Sequence, residues 1–338
     1  MPTFNRAEYL RISLASVLAS RVECKAKAQV EIVISDNAGT DNTAEVVNTF
    51  LDAGADIRYF RQQNNIGAPR NIRLAAELGG GQFVWIFGDD DKMEIEAVST
   101  VMTKIAEGAD AVICNVAISS RDFIITKSRF LPIYDDISFS NPNHVMGRLG
   151  PTLGYISGAI LNREAFMRVP FSEYISFDED GTCFLYAAYS VLRICRKIEF
   201  IAAPLVINWG EASDADLLSD HHRSAAGAIP LKRAEILWNR VFAQGFPRTL
   251  DFLAAQGYHR SAIRKGKTLL LFFYLFPRLL LLKNRRHGSW TLMTMSAKYF
   301  YELLSFWLLF VPCALLPLFI LRYLKRGKDK LTKKFYKS

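Results

Sequence analysis

The feature that most constrains the fold is an apolar run that ends in a cluster of acidic residues. FVWIF at residues 83–87 is followed by Gly88 and then by Asp89, Asp90 and Asp91. A short apolar run bounded by glycine is typical of a strand buried on both faces, as in parallel sheets covered by helices. The carboxyl ends of such strands are where these sheets hold ligands. The sequence therefore predicts an α/β fold with polar chemistry at one edge of the sheet.

The adjacent aspartates predict a site for a divalent cation. Their side chains repel one another, and a strand end does not require them. A hard cation such as Mn²⁺ or Mg²⁺ removes this repulsion because it binds carboxylate oxygens together with substrate phosphates. The alternative is a solvated turn in which one aspartate caps the next helix.

The rest of the N-terminal part alternates between helices and strands. The periodicity predicts helices over about residues 6–20, 42–54, 68–78 and 94–106, and strands over 31–36, 57–60, 82–87 and 110–116. Asn5-Arg6-Ala7-Glu8 has the form of a capping box for the first helix. The alternation indicates an α/β sheet with right-handed crossovers. Such a unit needs a strand before the first helix, so either Pro2–Phe4 is its stub or the start site lies too late, and we expect the second.

Charge divides the chain into an acidic front and a basic back. With 42 Lys or Arg and 33 Asp or Glu, the net charge is +9. From Asp251 onward there are 17 Lys or Arg and 3 Asp or Glu, a net of +14, so the first 250 residues sum to −5. This predicts an anionic surface as partner of the back. The basic residues bracket apolar segments instead of lining a polar face, which argues against nucleic-acid binding.

The cysteines and the amino terminus predict a reducing compartment. The five cysteines form no CxxC pair and no zinc-like spacing with histidines, so we interpret them as buried thiols. MPTFNRAEYL contains no apolar signal region. We therefore expect the front of the chain to be cytoplasmic.

Several motifs together resemble a known family. They are PTFNR (2–6), SDNAGTDNT (35–43), NNIGAPRN (64–71) and FGDDD (87–91). In order and spacing they resemble the family 2 glycosyltransferases with the GT-A fold, and most of all the branch of abequosyltransferases and related O-antigen sugar transferases. The resemblance covers residues 1 to about 210. It implies a Rossmann-like fold with a mostly parallel central sheet flanked by helices.

The resemblance also implies a domain organisation. Residues 1–225 would form the GT-A catalytic domain, with a nucleotide-sugar-binding half over 1–116 and an acceptor half over 117–225. Residues 226–338 would form a helical, membrane-associating region with a basic C-terminal tail.

Roles at the nucleotide follow from the same resemblance. Pro2, Thr3 and Arg6 would lie beside the base and phosphates, and arginine suits phosphate because its planar fork donates parallel hydrogen bonds. Asp36 would accept hydrogen bonds from the base. As alternatives, Arg6 is a solvated side chain of the first helical turn, and Asp36 closes an Asx turn.

Arg70 and Asn71 would hold the nucleotide from the next crossover, although Arg70 could be only a helix-surface arginine. Asp89 and Asp91 would form the DxD pair, with Asp91 as the expected ligand of Mn²⁺ or Mg²⁺. Asp89 or Asp90 would face the ribose or the donor sugar. The cation would neutralise charge that grows on the nucleoside diphosphate as its bond to the sugar breaks.

A second acidic group supplies the candidate base. SFDEDGT at 176–182 places Asp178, Glu179 and Asp180 before a predicted helix. An inverting transferase needs a carboxylate to take the proton of the acceptor hydroxyl as it attacks opposite the leaving group. The family often carries a Glu-Asp pair here, which implies Asp180 as general base and Glu179 as second candidate. The alternative is that these acids only favour the helix dipole.

Two further segments belong to this part of the chain. YISGAILNREAF (155–166) predicts a strand and the start of a helix, with Ser157-Gly158 interpreted as a close packing point. The acidic stretch 204–220 predicts a mobile loop over the site, followed by an exposed His221 and His222.

The C-terminal part contains apolar stretches at 268–282 and 303–321 between basic clusters. The first is short for a membrane span, which takes roughly 20 residues, and Pro312 and Pro317 would break the second. Because Lys and Arg prefer the cytoplasmic side, we expect a kinked hairpin or interfacial helices on the anionic inner leaflet. The alternative is a soluble helical subdomain whose core these stretches fill.

Together these features predict a membrane-associated, metal-dependent, inverting glycosyltransferase. It would move a sugar from a nucleotide-sugar donor to a lipid-linked saccharide acceptor in bacterial surface polysaccharide assembly, at the cytoplasmic face of the inner membrane. One alternative is a nucleotidyltransferase, which would need a glycine-rich, basic phosphate loop that PTFNR does not provide. The other is an inactive membrane scaffold with a degenerate nucleotide-binding domain.

Overall fold

A computed structural model describes residues 1–24, 29–120, 124–209, 239–284 and 289–316. Its strands are β1 Pro2–Thr3, β2 Val33–Asp36, β3 Arg58–Arg61, β4 Phe83–Trp85, β5 Asp91–Met93, β6 Ala111–Ser119, β7 Ile125–Lys127, β8 Ile137–Phe139, β9 Ala159–Asn162 and β10 Ile198–Trp209. Its α-helices are α1 Ala7–Glu23, α2 Thr43–Asp52, α3 Ala68–Leu78, α4 Ala97–Ala106, α5 Pro142–Leu149, α6 Arg163–Arg168, α7 Phe171–Ile175, α8 Cys183–Leu192, α9 Phe246–Ala255, α10 Arg260–Leu270, α11 Phe276–Asn284, α12 Ser289–Phe300 and α13 Val311–Leu315.

The strands form two sheets. In the first, β1, β2 and β3 pair in parallel, with Thr3 opposite Asp36. The second has the order β4-β9-β6-β10-β5, with β7 on β6 and β8 on β10. Its β6–β10 pair is parallel and its other pairs are antiparallel. The predicted α/β class is confirmed, and the parallel sheet brings the carboxyl ends of β1 and β2 to one edge.

The strand that precedes the aspartates differs from the prediction. β4 covers only Phe83–Trp85, lies at the edge of its sheet and is half-buried. The buried residues are Ile86 and Phe87, which follow it. The prediction of a strand buried on both faces over 82–87 is therefore wrong. The strand is shorter and half-buried, and the buried part of the apolar run follows the strand.

The start of α1 also corrects a prediction. Asn5 has a positive φ of 53°, and its Oδ1 accepts a hydrogen bond from the backbone N–H of Thr40 at 2.6 Å. The N–H of Ala7 instead donates to Asp41 Oδ2 at 2.9 Å. The capping box is wrong because a carboxylate from the loop after β2 caps the helix.

The C-terminal helices share a hydrophobic core with the acceptor half. This core includes Phe184 and Leu185 of α8 together with Leu250, Leu270 and Phe306. In the first apolar stretch, the buried leucines are Leu269, Leu270, Leu271, Leu275, Leu279 and Leu282. The helical-subdomain alternative thus describes the first stretch, whose leucines fill protein core.

Each proline within these helices follows a π turn. The turns are Val241–Gly245, Leu271–Leu275 and Phe306–Phe310, followed by Pro247, Pro277 and Pro312. A widened turn accommodates the missing N–H and the ring of proline. The predicted break at Pro312 is wrong, since the helix continues to Leu315. It ends at the extended Leu316, as expected before Pro317.

No helix among the described residues is long and apolar enough to cross a bilayer. The loop predicted over 204–220 is wrong at residues 204–209, which form the end of β10. The rest of that loop with His221 and His222, the boundary predicted at 225/226 and the basic tail lie outside the described residues.

Candidate active site

Arg6 joins the amino terminus to the acidic cluster. Its guanidinium lies 3.1 Å from Asp89 Oδ1 and 2.6 Å from Asp90 Oδ2. The buried Thr3 hydroxyl lies beside Asp89. Burial raises the pKa of Asp89 to about 6, against the lowering effect of the Arg6 guanidinium. The structure thus brings Arg6 into direct contact with Asp89 and Asp90 and places Thr3 beside Asp89.

Asp91 faces a different set of partners. Ser157 Oγ donates to its Oδ2 at 2.6 Å, and Asn208 Nδ2 donates to its Oδ1 at 3.0 Å. Burial, and then the charge of Asp90, raises the pKa of Asp91 to about 7. Within the described residues no Lys or Arg forms an ion pair with it. It begins β5, whereas α4 starts only at Ala97, so the helix-cap alternative is wrong.

Gly88 lets the acidic turn close on itself. A Cβ at this position would lie 2.7 Å from Asp91 Oδ2 and 3.1 Å from Asp90 Oδ1. Its N–H donates to Ser157 Oγ at 2.8 Å, and its carbonyl accepts from Ser13 Oγ at 3.0 Å. Ser157 therefore fixes both the turn and Asp91, a function that its interpretation as a packing point missed.

Asp36 is fully buried at the end of β2. Its Oδ1 accepts from the N–H of Gly39 at 2.8 Å, and its Oδ2 accepts from the Tyr59 hydroxyl at 2.7 Å. Arg61 Nε lies 3.6 Å from the same Oδ2. The carboxylate closes the turn, as the alternative predicted, and Tyr59 and Arg61 join the site without a local sequence signal.

Of the two residues predicted on the next crossover, Asn71 is buried and Arg70 is exposed. Asn71 is buried, and its Oδ1 accepts from Ser35 Oγ and Gln62 Nε2, each at 2.7 Å. It therefore links α3 to the first sheet. Arg70 is exposed, with its guanidinium carbon 5.8 Å from the ring centre of Phe171.

The candidate bases lie before α8. Asp180 is buried, and Arg248 Nη1 donates to its Oδ2 at 2.5 Å. Glu179 is exposed and accepts from Arg240 Nη2 at 2.7 Å. Both arginines come from the C-terminal helical region, which the motif pattern does not connect with the base.

Not all of the predicted site residues are in contact with one another. Among the described residues, no hydrogen bond or ion pair links Asp180 or Arg70 to Asp89, Asp90 or Asp91. In the same part of the chain, no group of three or more His, Cys, Asp or Glu side chains is arranged to hold a metal ion. All five cysteines are free thiols, and four of them are buried.

The fold and its acidic edge define a GT-A-like α/β protein with flanking helices. A mannosyltransferase of Pyrobaculum calidifontis, solved with GDP-Man and Mn²⁺, superposes over 97% of this chain and 86% of its own, with a TM-score of 0.51 and 16% identity. This likeness concerns the fold. Residues 1–168 match the family described as Glycosyl transferase family 2. The chain therefore belongs to the family 2 glycosyltransferases, as the motifs predicted.

Curated relatives extend the likeness. The chain is 27% identical over 223 residues to an abequosyltransferase of Salmonella typhimurium, covering 62% of this chain and 66% of that protein. It is 24% identical over 203 residues to the GalNAc(5)-diNAcBac-PP-undecaprenol beta-1,3-glucosyltransferase of Campylobacter jejuni, covering 58% and 64%. The chain thus spans just under two-thirds of the length of these relatives. Family membership favours glycosyl transfer over nucleotidyl transfer.

Proposed function

We propose that this protein is a metal-dependent, inverting glycosyltransferase. It moves a sugar from a nucleotide-sugar donor to a lipid-linked saccharide acceptor in bacterial surface polysaccharide assembly. The observation that carries the proposal is the contrast within the acidic turn. Arg6 forms ion pairs with both Asp89 and Asp90, while the buried Asp91 has no cationic partner among the described residues.

The residues of this turn fit a divalent cation. Asp91 would hold it, with Asp89 as a second carboxylate and the donor's diphosphate oxygens completing the oxygen ligands that Mn²⁺ or Mg²⁺ prefers. Ser157 and Asn208 orient Asp91 from the other side through the hydrogen bonds to its two oxygens. When bound, the cation supplies positive charge opposite the leaving nucleoside diphosphate.

The donor would lie along the edge formed by the ends of β1 and β2. In this proposal Pro2, Thr3 and Asp36 border the base, and Asn71 keeps β2 and α3 in register. The carboxylate of Asp36 already accepts hydrogen bonds from Gly39 and Tyr59. Its position beside the base would therefore be fixed, and its remaining lone pairs would accept hydrogen bonds from the base.

The phosphates and the sugar face charged side chains. Arg6 is held between Asp89 and Asp90 within hydrogen-bonding distance of both, so its guanidinium would lie beside the phosphates. Arg70 is exposed, and its guanidinium would contact the nucleotide of the bound donor. Asp90 or Asp89 faces the ribose or the donor sugar.

Transfer itself requires a base on the acceptor side. Asp180 takes the proton from the acceptor hydroxyl while the hydroxyl oxygen forms a bond to the anomeric carbon. The bond from that carbon to the diphosphate oxygen breaks on the opposite face, so the configuration inverts. Glu179 is the second candidate, although its exposure favours proton exchange with water and gives it a less defined position.

Two features support the proposed acceptor and the proposed location of the protein. The Campylobacter relative is named for a PP-undecaprenol-linked acceptor, and the C-terminal region here is basic and apolar. These features support a lipid-linked acceptor at the cytoplasmic face of the inner membrane. Residues 1–225 would then be the catalytic domain and residues 226–338 the membrane-associating region.

Calorimetric titration tests the donor site. We expect one of UDP, CDP, GDP and dTDP to bind in the presence of Mn²⁺ and to lose at least about tenfold in affinity without it, because no cation then links the diphosphate to Asp91. Asp91→Ala should abolish the dependence on Mn²⁺. Glu96→Ala, which removes an exposed acid after the site, should bind as the wild type does.

Transfer is tested separately, with lipid-linked and water-soluble saccharides as acceptors. A product of inverted configuration, absent with Asp180→Asn in protein that still binds donor, supports the mechanism. A folded protein that binds none of the nucleotides with Mn²⁺ would overturn it and favour the scaffold alternative.

A further inference from the structure

The helix that ends the described chain is apolar on all sides. From Leu304 to Leu315 it contains no charged residue, and Ser305 is its most polar side chain. One side is buried in the core through Phe306 and Phe310. A helix that is hydrophobic all round is normally covered all round, in a protein core or by lipid. Only half of this helix is covered by the described protein.

The uncovered side forms a continuous surface. Its members, here called the exposed apolar face, are Tyr301, Leu304, Trp307, Leu308 and Leu315. Leu304 is 72% exposed, Leu308 63% and Trp307 52%. Leu304, Trp307 and Leu308 lie at i, i+3 and i+4, the spacing of neighbouring side chains on a helix, and Leu315 follows beyond the π turn Phe306–Phe310. Contiguous exposed apolar surface of this kind marks a contact with another apolar phase.

The aromatic members suit a lipid interface. Tryptophan and tyrosine combine a large apolar ring with one polar group and concentrate at membrane surfaces. Trp307 Nε1 already donates to the carbonyl of Tyr301 at 2.7 Å. The indole ring can therefore enter an apolar medium without an unsatisfied donor.

The charges around this face favour an anionic surface. Glu302 is the acidic residue nearest to it in sequence, and its carboxylate is paired with Lys267 at 3.0 Å and with Arg264 at 3.4 Å. From Asp251 onward the chain carries a net +14. Apolar side chains beside excess cationic charge match a bilayer with anionic headgroups. A second copy of this cationic region would instead add repulsion.

We propose that the exposed apolar face inserts into the interfacial layer of an anionic bilayer and docks the protein with its α13 end on the membrane. The docking deepens the proposed function, since it brings the acceptor half to a lipid-linked substrate. The binding itself requires neither donor nor acceptor. Lipid contact is thus assigned to one side of one helix, while Leu269, Leu270, Leu279 and Leu282 of α10 and α11 lie in the protein core.

Vesicle sedimentation of the full chain tests the docking. Vesicles of phosphatidylcholine with phosphatidylglycerol are compared with phosphatidylcholine alone, at low and at high salt. Leu304→Ser with Leu308→Ser should weaken partitioning by at least about tenfold, because two apolar side chains no longer enter lipid. The matched control is Ile124→Ser with Ile194→Ser, which changes side chains 66% and 61% exposed outside this face and should leave partitioning unchanged.

Tryptophan fluorescence gives a second readout. Brominated lipids should quench the wild type and leave Trp307→Phe markedly less quenched, because Trp307 is the tryptophan of the exposed apolar face. Nucleotide calorimetry on each variant reports whether it is folded. Equal partitioning of the serine double variant, or no loss of quenching in Trp307→Phe, would overturn the proposal.

Two other results separate the alternatives. If light scattering shows that the serine double variant dissociates a dimer while vesicle binding is unchanged, the face is an interface between copies and the proposal fails. If vesicles are bound through Trp307 but no sugar is transferred to any acceptor, the proposed function fails and the docking stands.

Discussion

Arg248 of α9 donates a hydrogen bond from Nη1 to Oδ2 of Asp180 at 2.5 Å. The carboxylate is buried, whereas about half of the arginine side chain is exposed. The two residues are 68 positions apart in the chain. The C-terminal helices therefore hold the side chain that we propose as the base.

Arg248→Ala should slow transfer without weakening donor binding. Without the guanidinium, the buried carboxylate of Asp180 loses the hydrogen bond that fixes its position, so kcat should fall while the KM for the donor is kept. We expect kcat near neutral pH to fall about tenfold or more, a part of what a general base contributes. Arg248→Lys should recover part of the rate.

The matched control is Arg240→Ala, which breaks the neighbouring ion pair with the exposed Glu179. Exposed pairs contribute little, so its kcat and its KM for the donor should stay close to those of the wild type. Equal effects of both alanine variants would contradict a positioning role for Arg248.

Ser157→Ala should weaken the metal-dependent step. The hydroxyl donates to Asp91 and accepts from the N–H of Gly88, so its loss leaves a buried N–H unpaired and Asp91 less constrained. Affinity for the nucleotide in Mn²⁺ should fall about 10- to 100-fold, and the free energy of unfolding by about 1–3 kcal/mol. Calorimetry and urea unfolding measure these changes. Ser172→Ala, at an exposed position of α7, should change neither.

Asp91→Asn should stabilise the metal-free protein at high pH. Burial raises the pKa of Asp91 from 3.8 to about 7, so the folded state holds this proton more tightly than the unfolded state. The metal-free wild type then loses stability as pH rises from about 4 to about 7, and the uncharged amide avoids this loss. Thermal unfolding in chelator should give the variant the higher midpoint above pH 7, with the difference shrinking towards pH 4. A variant less stable than the wild type at pH 8 would contradict the sign.

Gly245→Ala should displace the base. Its Cβ would lie 2.4 Å from the backbone oxygen of Asp180 and 2.9 Å from the Asp180 Cβ, so one backbone must move. Overpacking of this kind costs about 1–3 kcal/mol, and transfer should fall while nucleotide binding is kept. Gly80→Ala is the control because its Cβ meets only ordinary contacts, the nearest at 3.5 Å from a Glu31 carboxylate oxygen. Wild-type transfer by Gly245→Ala would show that the close approach does not position Asp180.

Local patterns determined the first half of the fold. The alternation of helices and strands follows from apolar spacing, and α3 covers the predicted residues 68–78. The acidic turn follows from the apolar run that precedes it, whereas its contact with Arg6 joins segments that follow strands of two different sheets. The family could be predicted from these motifs because each is a continuous segment.

Other features depended on tertiary contacts that no local pattern contains. Asp91 takes its partners from Ser157 and Asn208, which are 66 and 117 positions away. The carboxylate that caps α1 comes from another loop, and the arginine on Asp180 comes from another region of the chain. Such pairs arise only when packing brings distant segments together.

The apolar stretches show the same division most clearly. The composition of both stretches shows that they avoid water. The free energy gained when apolar surface leaves water depends on the area removed and not on whether protein or lipid covers it. Composition cannot say whether protein or lipid covers them. Packing decided that Leu270 and Leu275 lie in the core and that Leu304 and Leu308 lie outside it.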